Sequence, residues 1–285
     1  MEHLQGKNTT VGAATETEND PRFTLTPWER DSVVRLKVAC DENCVAYRSV
    51  FELAKFVLVS KSIAQDHDPK ADEKRLQEAL NRLTKKRSWE KANGVNKMNI
   101  EAVNRELTVI EPDYHLVRYY RDKEGHILLG YRFAHAPTRF VCSSKENTAK
   151  AIAMSVWKMD LAAATMEEAR RGIAFVGICE GRVGIPEAVR YVRLLNACKG
   201  SLSGIHAHRV RRVYVQAPPF LAHMVNTARM FLPKKLRERK IVTPTISDLE
   251  QHIDLEHTNG AIKDGLDWVK ERAALYGETV QRLTL

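Results

Sequence analysis

The chain has 285 residues, 44 % of them hydrophobic and 28 % charged, with a formal net charge of +9. That balance excludes a disordered or fibrous polypeptide and leaves enough apolar residues for a substantial core beside a small accessory domain. The excess of cations suits an acidic partner surface such as anionic lipid or nucleic acid, against the plainer alternative of a basic but unspecialised exterior.

Residues 1–20 are polar and rich in Thr, Glu and Asn, the composition of a disordered tail. Thr26-Pro27-Trp28-Glu29 supplies an N-cap with proline at the first helical position, opening a helix through Val33, Leu36 and Val38. An apolar run over 50–63 and a third helix after Asp68-Pro69, through Leu76, Leu80, Leu83 and Trp89, complete a helical module over 21–95. Gly94 and residues 96–99 form a linker. A turn at 122–125 then precedes a strand from Ile127 to Phe133, and a helical stretch from Lys145 to Ala169 is closed by Arg170-Arg171-Gly172. A second strand, Ile173 to Ile178, is followed by the glycine-containing segment 181–184 and a helix from Pro186 through Val189, Val192 and Leu195. A helix from Asp264 to Leu275, packed on the surface, ends the chain.

The densest signal runs from Val210 to Val242. Val210, Val213, Tyr214 and Val215 make a β-branched and aromatic strand that Pro218 and Pro219 stop near Gln216, since proline gives the ladder no donor. From Phe220 the apolar residues Leu221, Met224, Val225, Ala228, Phe231 and Leu232 recur at helical spacing. Lys234, Lys235, Arg237, Arg239 and Lys240 follow, leading into a further β-like pair, Ile241 and Val242. Strand, crossover helix and strand recurring in this way require a mainly parallel sheet covered by helices.

Catalytic and cofactor signatures are weak. The glycines at 181–184 lack the spacing of a nucleotide fingerprint and the Walker lysine, and no Gly-x-Ser-x-Gly, His-Glu-x-x-His or Cys-x-x-Cys pattern occurs. Five cysteines, Cys40, Cys44, Cys142, Cys179 and Cys198, have no disulfide-scaffold spacing, and Cys40 with Cys44 lacks the second ligand pair of a metal site. His206 and His208, alternating beside Arg209, have the pattern of a solvated loop, with a pH-sensitive contact to a phosphate as the other reading. The expectation is a non-enzymatic protein with no metal and no cofactor. No run reaches the roughly 18–20 apolar residues that span a bilayer and residues 1–10 lack a signal-peptide core, so a cytoplasmic location is expected.

The order of parts in this segment resembles the CRAL-TRIO lipid-binding family. Gln216-Ala217-Pro218 matches the family's strand-ending turn. Met230-Phe231-Leu232 and Lys235-Leu236-Arg237-Glu238-Arg239 match the stretch after its gate helix. The resemblance spans about Asp68 to Ala261. It implies an α/β domain over 96–263 whose sheet floors an apolar pocket, with the helical module alongside and a C-terminal helix over 264–285. It further implies non-catalytic binding, and transfer between membranes, of a hydrophobic ligand. Tyr131, Phe133, Ile173, Phe175, Val189, Val192, Leu195, Val210 and Val213 would line the pocket, and Phe220, Met224, Val225 and Phe231 would close it. Arg209, Lys234, Lys235, Arg237, Arg239 and Lys240 would meet a headgroup or an anionic membrane surface, peripherally and reversibly. Nucleic acid is disfavoured, because no aromatic residues interleave the basic run. Two departures stand out. Ala207-His208-Arg209 replaces the family's Pro-Glu-Arg, and Leu236 to Arg239 lacks its Thr-x-x-Lys pair, so phosphatidylinositol exchange is not implied. The alternative is a scaffold that keeps the fold without a ligand and offers its basic edge to a protein partner.

Overall fold

The computed structural model describes residues 20–60, 69–110, 121–132, 138–178, 204–219, 222–223, 226, 238–253 and 265–285. Helix α1 (Pro27–Glu42) begins as expected. The Thr26 hydroxyl accepts from the Glu29 amide at 3.3 Å while the Glu29 carboxylate accepts from the Thr26 amide at 2.8 Å, a reciprocal cap that satisfies two otherwise orphaned donors. Helix α2 (Val50–Ser60) is apolar nearly all round, so it has no solvent face and is buried from Phe51 to Ser60. Helix α1 and the long α3 (Pro69–Ala92) pack against it.

Past a 3₁₀ turn at Val95–Lys97, the expected linker gives way to α4 (Ile100–Ile110). Asn99 caps it, its side chain accepting from the Ala102 amide at 3.0 Å, and Val103 and Leu107 are buried against Met154. The stretch expected as one helix to Ala169 is two: α6 (Lys145–Ala162), preceded by the short α5 (Thr138–Val141), and α7 (Met166–Arg171). Thr165 and Glu168 form a second reciprocal cap, which restarts the chain instead of continuing it.

Four parallel strands, β1 (Ile127–Arg132), β2 (Ile173–Ile178), β3 (Val210–Gln216) and β4 (Lys240–Thr243), lie in the order β1-β2-β3-β4. The chain is therefore an α/β protein with a parallel sheet covered by helices. On one sheet face Ile127, Leu129, Ile173, Phe175 and Val210 join the main core with α1, α2, α3, α6 and α7. On the other, Leu128, Ala174, Val176, Ile178, Tyr214 and Ile241 pack with Leu249 of the short α8 (Ile246–Leu249) and with Ile253. The terminal helix α9 (Gly265–Arg282) runs beyond Leu275 and is not a surface appendage, since Tyr276, Val280 and Leu283 pack into the main core. One continuous apolar cluster thus contains residues of the N-terminal helices, the sheet and the C-terminal helix.

Arg170 fastens α1 to α7. Its guanidinium donates to both Glu29 carboxylate oxygens at 2.9 and 2.7 Å and to the Pro21 carbonyl at 2.8 Å. The Glu29 side chain is 5 % exposed, and although burial opposes ionisation, Arg170 and the Thr26 amide hold its pKa below the usual value. Arg170→Met would strand that carboxylate, so urea unfolding should show a loss of about 2–4 kcal/mol. A loss within experimental error would show that the clamp is dispensable.

Candidate functional site

The parallel register places Leu129, Phe175, Val213 and Lys240 in one row and Tyr131, Gly177, Val215 and Val242 in the next, on the sheet face that also carries Ile127, Ile173 and Val210. Burial falls across this face. Ile127, Leu129 and Ile173 are enclosed by the core, whereas Phe175, Val213, Val215 and Val242 are only half-buried. The apolar strip is therefore least covered along β3 and β4.

Three arginines stand where β3 and β4 enter the sheet. Arg209, Arg211 and Arg239 are half-buried, and among the described residues none is paired with a carboxylate. Arg211 donates to the Arg171 carbonyl at 3.1 Å. Burial first, then the charges of Arg211 and Arg239, lowers the Arg209 pKa; burial and Arg239 do the same to Arg211. Cations held close without counter-ions are electrostatically primed for an anion. Arg212 contrasts with them, its fork gripping Glu124 at 2.8–3.1 Å.

Gly172 sets how closely β2 and β3 approach at this entry. Its φ of 87° and ψ of −178° lie in a region open only to glycine, and a Cβ there would stand 2.6 Å from the Arg209 carbonyl oxygen. The Ile173 amide donates to that same carbonyl at 2.9 Å.

The opposite face is closed by polar anchoring. The Tyr214 hydroxyl donates to Asp122 at 2.7 Å, His126 Nδ1 lies 3.0 Å from the same carboxylate oxygen, and His252 stacks on the Tyr214 ring at 5.6 Å. Burial, then Asp122, raises the Tyr214 pKa. This arrangement explains the Asp122 to Gly125 turn as a structural feature, with Asp122 also accepting from the Glu124 and His126 amides at 3.0 and 2.8 Å.

Of the residues expected to line a pocket, Ile173 is part of the closed core, while Phe175, Val210 and Val213 are half-buried on the same face. Tyr131 shares their side of the sheet by register. Phe133, Val189, Val192, Leu195, Phe220, Met224, Val225, Phe231, Lys234, Lys235 and Arg237 lie outside the described residues. Arg209 and Arg239 are brought together with Arg211, which no sequence motif singles out, and Lys240 follows in β4. A cavity of about 20 Å³ among Trp28, Ser32, Val57 and Leu76 has room for a single water and is no ligand pocket.

The expectation of a solvated loop at His206 and His208 is overturned for His208, while His206 is half-buried. His208 is 4 % exposed, with Nε2 3.0 Å from Asp160, because α6 and α2 supply a carboxylate and a lysine that compensate its burial. Among the described residues no group of three or more metal-ligating side chains assembles, and no helix is long and apolar enough to cross a membrane.

Among solved structures, the crystal structure of Sfh5 is similar to this chain, with 12 % identity, coverage of 88 % of this chain and 99 % of Sfh5, and a TM-score of 0.48. No family model and no curated protein matches the chain.

Gly172→Ala should force β2 and β3 apart, costing about 2 kcal/mol in chemical denaturation; an unchanged midpoint would contradict the close approach. A second prediction concerns Lys158 of α6, 3 % exposed, whose pKa burial lowers from 10.5 to about 7. Between those pH values the unfolded chain binds a proton that the folded chain lacks, so Lys158 makes stability rise with pH across that window. Lys158→Met should flatten that rise in thermal unfolding followed as a function of pH. A variant retaining the parent's pH dependence would assign that dependence elsewhere.

Proposed function

We propose that the chain is a non-catalytic carrier of a hydrophobic ligand with an anionic head, a lipid by chemical class, and that it needs no cofactor. The observation supporting this most directly is that β3 and β4 carry both the half-buried Val213, Val215 and Val242 and, where they enter the sheet, the arginines at 209, 211 and 239. Aliphatic surface kept from water is worth about 25 cal/mol per Å² to an acyl chain that covers it. Each charge-assisted hydrogen bond to a buried arginine adds about 1.5–3 kcal/mol. Such a seat favours an amphiphile over a purely apolar or purely ionic molecule.

The basic segment from Lys234 to Lys240 would bring the carrier to an anionic bilayer, each cation near the surface contributing about 1 kcal/mol, so that attachment is peripheral and reversible. The resemblance in the strand-ending turn Gln216-Ala217-Pro218 and in Lys235 to Arg239 supports the same reading. Nucleic acid fits less well, since an apolar strip has no role in contacting phosphates alone.

The test is uptake from vesicles of two fluorescent lipids with equal acyl length, one with an anionic and one with a neutral head. The chain should extract both and prefer the anionic one. Arg209→Ala with Arg239→Ala should reduce that preference about tenfold or more and leave neutral uptake nearly unchanged. Val213→Asp should abolish both. Saturable binding of neither lipid by folded protein would overturn the carrier reading and favour a scaffold whose basic edge meets a protein.

A further inference from the structure

The segment 204–209 leads into β3 and is held by a largely buried group of charges. Asp160 of α6 accepts from Lys55 Nζ of α2, which is 1 % exposed, and from His208 Nε2 at 3.0 Å. Because a carboxylate can only accept, His208 carries its proton on Nε2. Lys55 also reaches the Tyr276 hydroxyl of α9 at 3.4 Å, and its ammonium lies 4.8 Å from the Phe51 and Tyr276 ring centres. The His208 amide donates to His206 Nδ1 at 3.4 Å, which requires that nitrogen to be unprotonated. Around the two imidazoles stand Asp160 from α6, Lys55 from α2, Lys86 and Arg82 from α3, and Tyr276 from α9, while the side chain of Lys85 lies beside Gly204. Three of the charged neighbours are cations and one is an anion already engaged by Lys55.

We propose that His206 and His208 form an acid-sensitive joint, which fastens the segment entering β3 to Asp160 of α6, and through Asp160 to Lys55 of α2, and releases that segment on proton uptake before the sheet itself unfolds. Both rings are held neutral in the closed joint. For His208 burial is the main cause, opposed by Asp160 and assisted by Lys55 and Lys86; for His206, burial and its neighbours bring the pKa from 6.5 to about 4. Once released into water, each imidazole titrates near pH 6.5. The open form then binds protons that the closed form refuses, so opening grows as pH falls below about 6.5. The upper limit is about tenfold per histidine, and about a hundredfold for the pair, between pH 7.5 and 5.5. Asp160 does not contribute in that window, because Lys55 and its other neighbours, overcoming its burial, hold its pKa well below 3.8 and its stabilisation is lost only under stronger acid. The joint stands independently of the carrier reading. Its consequence for that reading is that Arg209, adjacent in the chain to His208, leaves the arginine group when the segment opens.

The test is hydrogen exchange of the full chain at pH 7.5 and 5.5, corrected for the chemical exchange rate at each pH. Amides of 204–210 should lose up to about a hundredfold more protection on acidification than those of β1 and β2, and His206→Gln with His208→Gln should remove this difference. Equal loss throughout the chain, or an unchanged response in a folded double variant, would overturn the joint. Should the double variant fail to fold, ring-proton NMR titration of the unaltered chain decides. His206 should stay neutral down to pH 5.5 and His208 should titrate below its ordinary range, and either ring titrating near 6.5 in the folded chain would overturn the proposal. Neither readout involves a lipid, so failure here leaves the carrier reading untouched.

Discussion

Two charges on one turn of a helix with no solvent face dictate how much of this molecule is assembled. Glu52 and Lys55 sit on α2, and at that depth each must be neutralised by a partner or cost several kcal/mol. No single element supplies both partners. Lys86 of α3 reaches Glu52 at 3.1 Å with Arg87 beside it, and the Arg48 amide donates to the same carboxylate at 2.8 Å. Asp160 of α6 answers Lys55, and His208 and Tyr276 complete its surroundings. Removing Asp160 would strand Lys55, whereas Glu52 keeps one cation if Lys86 or Arg87 is lost, and the network specifies one arrangement of helices more than it adds to net stability.

That arrangement makes the two sheet faces unequal. One is closed by α8 and by the Tyr214 to Asp122 hydrogen bond. The other is covered by α1, α2, α3, α6 and α7 over β1 and the start of β2, and its apolar surface thins in cover toward β3 and β4. On that side β3 and β4 carry half-buried valines and, where they enter the sheet, arginines with no carboxylate partner among the described residues. The helices that fix the core thus also fix which part of the sheet stays half-covered.

The parts legible in the sequence were those written in local chemistry. Thr26-Pro27-Trp28-Glu29 announces the start of α1, and Pro218-Pro219 bounds β3 at Gln216, because caps and missing donors act within a few residues. The same grammar was present and passed over at Thr165-Met166-Glu167-Glu168, where a cap splits the expected long helix, and at Asn99 before Ile100, Val103 and Leu107. Which strand parity faces the ligand was not legible: Ile173 to Ile178 is apolar on both sides, as strands of a covered parallel sheet are, so alternation carried no signal. His208 was misjudged for a different reason. The burial of His208 depends on an Asp 48 positions away and a Lys far earlier in the chain, and no local pattern encodes a partner brought in by folding.

The claim that the half-covered sheet face is a seat for an amphiphile is tested most directly by native mass spectrometry of the purified full chain, with solvent extraction of whatever it carries. The account predicts a stoichiometric amphiphile with an anionic head, absent from folded Val213→Asp protein. Purified chain of the bare mass that stays bare after incubation with lipid vesicles would contradict it.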